Sequence, residues 1–301
     1  MVRSDTFPVG CFAAKHPTHP PGVWPMKTVA FVNRKGGVGK SSCVMHLGID
    51  LARQGHRVLL VDADPQASLS QGLLGRDALT IDPSLTLAQL FDAPGSSMVG
   101  LPLDLGRAGL GLVAGHEALA RYNVPEPWLA GDDQVILRDG LGEVADGWDL
   151  CLIDCPPSVQ LAAWCALAAA DGVVVPAQLE DFGIQGVAAI LDSIDHARSA
   201  VNPALRLLGI LPTMVARLAI HADYDADARA AFGDDVFAAV VPASVDMKTS
   251  VTARKGVSEH RPRSAASKAI RTVGVEMLAR LDGRSEGVGS HQASDERIGA
   301  Q

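Results

Sequence analysis

The run Asn33-Arg-Lys-Gly-Gly-Val-Gly-Lys-Ser-Ser42 concentrates more chemistry than any other stretch of the chain. Its glycines, Gly36, Gly37 and Gly39, let successive backbone N–H groups converge on one anion, and the helical pattern that follows adds the partial positive charge of a helix N-terminus. Lys40 supplies a full charge for the β- and γ-phosphates of a nucleoside triphosphate, while the Ser41 hydroxyl suits Mg²⁺. Val38 and Ser42 complete the phosphate loop. Two acidic sites follow. Val58-Leu-Leu-Val-Asp-Ala-Asp-Pro-Gln66 sets Asp62 and Asp64 just beyond an apolar strand, where ligands sit in open α/β sheets. Leu150-Cys-Leu-Ile-Asp-Cys-Pro-Pro157 ends a second such strand in Asp154, whose carboxylate would hold Mg²⁺ directly or through a water.

These residues need a scaffold of alternating strands and helices. Short, continuously apolar runs predict strands at 28–32, 58–61, 110–113, 150–153, 172–175, 207–211 and 236–241, of the kind buried on both faces. Helical periods cover 41–54, stopped by Gly55, then 184–200, stopped near Pro203, and 264–281. The alternation predicts an α/β fold: a doubly wound, mainly parallel sheet with helices on both faces and right-handed crossovers. Between 78 and 148, Gly, Pro and Asp blur both periods. Residues 1–25, proline-rich and aperiodic, read as a disordered leader, and Met26 stands directly before the first strand as an alternative translation start. Residues 284–301 read as a flexible polar tail, which leaves 26–283 as one nucleotide-binding domain.

The composition excludes several classes. Of 301 residues, 48% are hydrophobic and 20% charged, too apolar for a disordered protein and ample for a large core. The most apolar window, 161–179, is interrupted by Asp171, Gly172 and Pro176, so it reads as a buried helix and strand and not as a membrane span. Five cysteines without CxxC spacing fit a reducing cytoplasm. The formal charge of −8 means that any contact with nucleic acid must come from a local patch.

Arg34 stands where a standard GxxxxGK[ST] loop has its first glycine, and Lys35 adds a second lysine to give KGGxGK[ST]. Lys35 to Ser41 resembles the deviant Walker A motif of the ParA/MinD family of P-loop ATPases. The resemblance implies ATP and Mg²⁺ as cofactors. It also implies that Lys35 reaches across a homodimer to the nucleotide held by the partner subunit. The segment at Asp62–Gln66 is similar to the family's DxDPQ switch. Asp64 is thereby implied to orient the attacking water and, with Ser41 and Asp154, to make up the Mg²⁺ environment; Asp154 takes the Walker B position. The runs 173–186 and 208–214 also look like ParA segments, and Val241-Pro242 is implied to lie near the adenine pocket. The likeness covers roughly 26–282. With only residues 1–25 before it, the expectation is the short Soj-like branch of the family, without the long N-terminal helix-turn-helix domain of the larger plasmid partition ATPases.

Within that family, charge favours one branch. From Lys248 to Arg271 the basic residues are Lys248, Arg254, Lys255, Arg261, Arg263, Lys268 and Arg271, against one acid, Glu259. Such a patch can hold DNA phosphates without reading bases. The family's Arg just after the Pro of this region is Ala243 here, and its next acidic position is Thr249. The leading expectation is a slow, partner-stimulated ATPase, cytoplasmic and nucleoid-associated. It would bind DNA non-specifically in its ATP state and partition a plasmid, chromosome or other cargo with a ParB-like adaptor. The alternatives are a MinD-like membrane-cycling ATPase, carried by the amphipathic 270–281, and an ATP-gated regulatory scaffold. An iron–sulfur carrier would need subunit-bridging cysteines, and a tyrosine kinase of related fold a terminal tyrosine cluster. Cys155 lacks a suitable second partner, and the only tyrosines are Tyr122 and Tyr224.

Overall fold

The computed structural model describes residues 26–283 except 94, 123, 179–183 and 217. The expected leader (1–25), the tail (284–301) and the middle of the ParA-like run 173–186 lie outside the described residues. In chain order the elements are β1 (Lys27–Phe31), α1 (Lys40–Arg53), β2 (Val58–Asp62), α2 (Ser68–Leu74), α3 (Ala88–Asp92), β3 (Leu103–Asp104), β4 (Leu110–Val113), α4 (Ile136–Val144), β5 (Leu150–Asp154), α5 (Leu161–Ala169), β6 (Gly172–Gln178), α6 (Ile184–Ala200), β7 (Arg206–Thr213), α7 (Ala219–Phe232), α8 (Val245–Thr252), α9 (Val257–His260) and α10 (Ala265–Leu281). Short 3₁₀ turns fill much of the stretch from Gly75 to Gly147, which explains why neither period is clear there.

The strands form one sheet in the order β3-β4-β2-β5-β1-β6-β7. Every pairing is parallel except the two-residue β3, which runs antiparallel to β4. β2 and β5 are buried along their whole length, because helices cover both faces of the sheet. On one face α4, α5 and α6 enclose a core around Trp148, Trp164, Leu137 and Ile190. On the other, α1 and α10 pack over Phe31, Leu60, Leu152 and Phe237. Among the described residues no helix is long and apolar enough to cross a membrane.

The predicted strand at 236–241 does not form. Val236 bridges Ile210, and Pro242 bridges Val215, but no continuous ladder joins them. The reason is a side chain: the amides of Ala238 and Ala239 donate to the two oxygens of Glu276 on α10, at 2.9 and 2.8 Å, and so leave no strand edge to propagate. At the start of α10, Ser264 caps the helix and its hydroxyl accepts from the Ser267 amide.

α1 joins the phosphate loop to the C-terminal elements. His46 is fully buried, and its Nδ1 accepts from the Val257 amide at 3.1 Å. Burial pushes the imidazole down to about 4. A folded-state value below the unfolded one means that the unfolded chain takes up the proton first as pH falls. Stability contributed by neutral His46 is therefore whole above about pH 6.5 and drains away toward pH 4, on the order of 3 kcal/mol in total. Denaturant melts across that window are expected to show this slope, and His46→Gln to flatten it.

Candidate functional site

The loop from Asn33 to Gly39 leaves the C-terminal end of β1, between the ends of β5 and β6, and runs straight into α1. Gly37 and Gly39 sit at φ +80° and +87°, a left-handed backbone that a side chain would strain. Asn33 at the start of the loop and two residues from neighbouring strand ends pin it. Asn33 donates from Nδ2 to the Pro176 carbonyl at 2.7 Å and accepts the Lys35 amide at 2.9 Å. Gln178 donates to the Gly37 carbonyl, and the Thr213 hydroxyl donates to the Val38 carbonyl at 2.8 Å. Sequence reasoning assigned none of these three anchors a site role, although Asn33 opens the glycine-rich run and Gln178 and Thr213 fall inside the two segments read as ParA-like. Their role depends on β6 and β7 ending beside the loop.

Lys40 is 6% exposed. Its ammonium donates to the carbonyls of Asn33 and Lys35, both at 3.1 Å, which holds the charge within the loop that it helps to shape. Burial pulls its pKa down, while Asp154, then Cys155 and Asp64, pull it back up. Lys35, Gly36 and Gly37 lie exposed at the rim; Val38 is buried, and Ser41 and Ser42 are half-buried at the first turn of α1. The two lysines of the motif thus occupy opposite environments, one enclosed and one presented to the outside.

The three acids are all buried but differ in what they hold. Asp62 is fully buried and spent on structure: one oxygen accepts both the amide and the hydroxyl of Ser70, at 2.8 and 2.7 Å, and the other accepts the Asp64 amide. The Ser70 hydroxyl in turn accepts the Gly115 amide. Burial raises Asp62 to about 6, against the pull of Ser70. Asp64 is 8% exposed; its Oδ1 accepts the Gln66 amide at 2.9 Å. Asp154 is fully buried, and among the described residues neither of its oxygens has a hydrogen-bond partner. Burial above all, then the Asp62 carboxylate, pushes its pKa well up, with Ser41 and Lys40 pulling the other way.

A buried carboxyl with two unsatisfied oxygens beside a lysine is costly unless a cation completes it. Asp154 therefore fits Mg²⁺, with the Ser41 hydroxyl as the second protein donor; bound there, the ion would neutralise phosphate charge. Beside the loop lies a largely apolar cleft of about 570 Å³, lined by Gly39, Ser42, Thr213, Pro242 and Met247 among others, with the dimensions of a base-binding pocket. Pro242 is thus brought together with the phosphate loop. Four cysteines, Cys43, Cys151, Cys155 and Cys165, are buried free thiols.

The seven basic residues of 248–271 are all exposed, and Lys248 lines the cleft that also contains Gly39 and Pro242. Two of them have acidic neighbours outside that segment: Arg261 lies 3.7 Å from Asp246, and Arg271 lies 3.6 Å from the buried Asp50 on α1. Glu259, the one acid within it, pairs with Arg107 at 3.4 Å.

The chain is similar to known proteins along most of its length. The family described as "AAA domain" matches residues 26–207. The chromosome-partitioning ATPase Soj of Thermus thermophilus is 38% identical over 259 residues, 85% of this chain and 97% of its own. The chromosome partitioning protein ParA of Caulobacter vibrioides is 34% identical, covering 85% of this chain and 95% of its own. Among solved structures, cobyrinic acid a,c-diamide synthase from Mycobacterium smegmatis with bound ADP and magnesium shares 28% identity at a TM-score of 0.70, over 86% of this chain and 97% of that one. Apo McdA from Cyanothece, at 22% identity, shares the fold, with a TM-score of 0.73 over 84% of this chain and 99% of that one. With its glycine loop, its second lysine and its two strand-end acids in place, the chain belongs to the ParA/Soj family of P-loop ATPases.

Proposed function

We propose that the protein is an ATP-driven partitioning switch: an Mg²⁺-dependent ATPase that dimerises around two nucleotides, binds DNA non-specifically in that state and releases it on hydrolysis. The observation that carries this reading is the enclosed Lys40 facing the unsatisfied Asp154, with Lys35 held out at the rim of the same loop. ATP binds with its phosphates in the loop and its base against Pro242. Asp64 orients the attacking water. Lys35 answers the phosphate charge of the partner subunit's nucleotide, so that two chains close only when both carry ATP. Dimerisation puts two copies of the basic segment on one surface, and because phosphate contacts add, DNA affinity rises steeply with it. A ParB-like adaptor stimulates hydrolysis locally and so positions a plasmid, chromosome or other cargo, with the protein cytoplasmic and bound to the nucleoid.

The membrane-cycling alternative needs a free apolar helix face. In α10 that face, with Ile270, Val273, Met277 and Leu281, is buried in the core shared with α1. This favours DNA over lipid as the surface on which the protein cycles.

The test is co-sedimentation with duplex DNA or with anionic vesicles, each with ATP and with ADP. Pelleting with DNA in ATP alone is the expected result; pelleting with vesicles and not with DNA would overturn the reading. Lys35→Gln is the arm that isolates dimerisation. It is expected to bind ATP but remain monomeric in sedimentation velocity and to lose ATP-dependent pelleting, whereas a normal ATP-dependent dimer would remove the role assigned to Lys35.

A further inference from the structure

Between α2 and the C-terminal end of α8 lies a groove of about 470 Å³. Ser68, Gln71 and Arg76 line one wall, Thr252 and Arg254 the other, and no carboxylate lines it. Among the described residues neither Arg76 nor Arg254 has an ion-pair partner, in contrast to Arg261 and Arg271. Arg254 is held there by its backbone. It adopts φ +55°, a left-handed conformation unusual for a residue with a side chain, and Arg107 donates to its carbonyl. Its guanidinium lies over Gly75, where even a Cβ would come within 2.3 Å of it. Thr252 spends its hydroxyl on the Lys248 carbonyl and Gln71 one amide hydrogen on the Gln66 carbonyl, so the two guanidinium groups, with the Ser68 hydroxyl and the second Gln71 amide hydrogen between them, make a site for a phosphate oxyanion.

The walls of this groove are also the elements that meet the nucleotide site. α2 starts just past Asp64, and the Asp62 carboxylate grips Ser70 within it. Val251 on α8 lines both this groove and the cleft that contains Pro242. The two helices interlock at Gly72, where an added Cβ would stand 3.1 Å from the Met45 sulfur on α1 and 3.7 Å from Val251. A shift of the Asp64 segment or of α8 therefore changes the width of the groove.

We propose that this groove receives a backbone phosphate of DNA, clamped between Arg76 and Arg254, and that the state of the nucleotide site sets its width. The inference rests on the DNA-binding reading above; it adds Arg76 and α2 to the DNA surface and supplies the link to ATP.

The test measures binding of the full chain to duplex DNA of several sequences, with ATP and with ADP, as a function of salt. With ATP, Arg76→Ala and Arg254→Ala are each expected to weaken binding equally for every sequence and to reduce the slope of log affinity against log salt by about 0.9. From about 50 to about 200 mM salt the variants would then lose roughly 3-fold less affinity than the wild type does. Arg76→Lys, which keeps the charge, is expected to restore the slope. If the wild type binds DNA with ATP but both alanine variants keep its slope, the groove is overturned and the DNA-binding reading stands. A wild type that binds no duplex in ATP overturns both. An alanine deficit of equal size in ATP and ADP overturns the coupling to nucleotide.

Discussion

Lys40→Ala is expected to abolish nucleotide binding, with a loss of about 10²- to 10³-fold in affinity. The size follows from where the ammonium sits. It is almost wholly buried, and its environment already includes the Asp154 carboxylate and two loop carbonyls. Bound phosphates would exchange those carbonyl contacts for charge-assisted ones in a desolvated site. Removing one partner of a buried charge pair costs about 3–5 kcal/mol, because the other charge is left uncompensated, and each 1.4 kcal/mol is about a factor of ten. An exposed lysine would cost far less, since water screens it. Titration with a fluorescent ATP analogue in Mg²⁺ checks this, with circular dichroism to establish that the sheet is intact. Affinity within a few-fold of wild type would mean that the phosphates do not lie over α1.

That prediction draws on a part of the molecule that can be read from the sequence. Loop, lysine and strand-end acids are local: each lies within a few residues of the apolar run that positions it, so periodicity and spacing place them together. Six of the seven predicted strands form. The failure at 236–241 is instructive, because Phe237 and Val241 do pack in the core as a strand would require. What prevents pairing is Glu276 on α10, distant in sequence, taking the two amides between them. β3 escaped notice for another reason, since two residues carry no period. The loop anchors Asn33, Gln178 and Thr213 were illegible as site residues because their function lies in which strand ends are neighbours. Residue type and spacing leave Asp62 and Asp64 alike, and the family resemblance alone singles out Asp64. The structure adds that the first is consumed in bonds to Ser70 and to the backbone amide of the second.

That division of labour sets the second large expectation: Asp64→Ala should keep ATP binding and lose turnover by about 10²- to 10⁴-fold, the range for removal of a group that positions or deprotonates the attacking water. The side chain makes one hydrogen bond, to the Gln66 amide, and its Oδ2 has no hydrogen-bond partner among the described residues. Its removal should therefore disturb the fold little. The segment would keep its shape through Asp62, whose carboxylate still accepts the Asp64 backbone amide and holds Ser70 at the start of α2. Because ATP would enter and stay, the variant is expected to accumulate in the dimeric, DNA-retaining state, with pelleting that persists after excess ADP is added, while wild type is released. Single-turnover phosphate release and DNA retention thus move in opposite directions, an outcome that simple misfolding cannot produce. If Asp64→Ala hydrolysed ATP at the wild-type rate, the water would be held by another group, and the place of Asp64 just past the end of β2 would need a different explanation. If instead both binding and hydrolysis fell together, Asp64 would belong with Asp154 in holding the cation, and the release step would have to be driven from elsewhere in the loop.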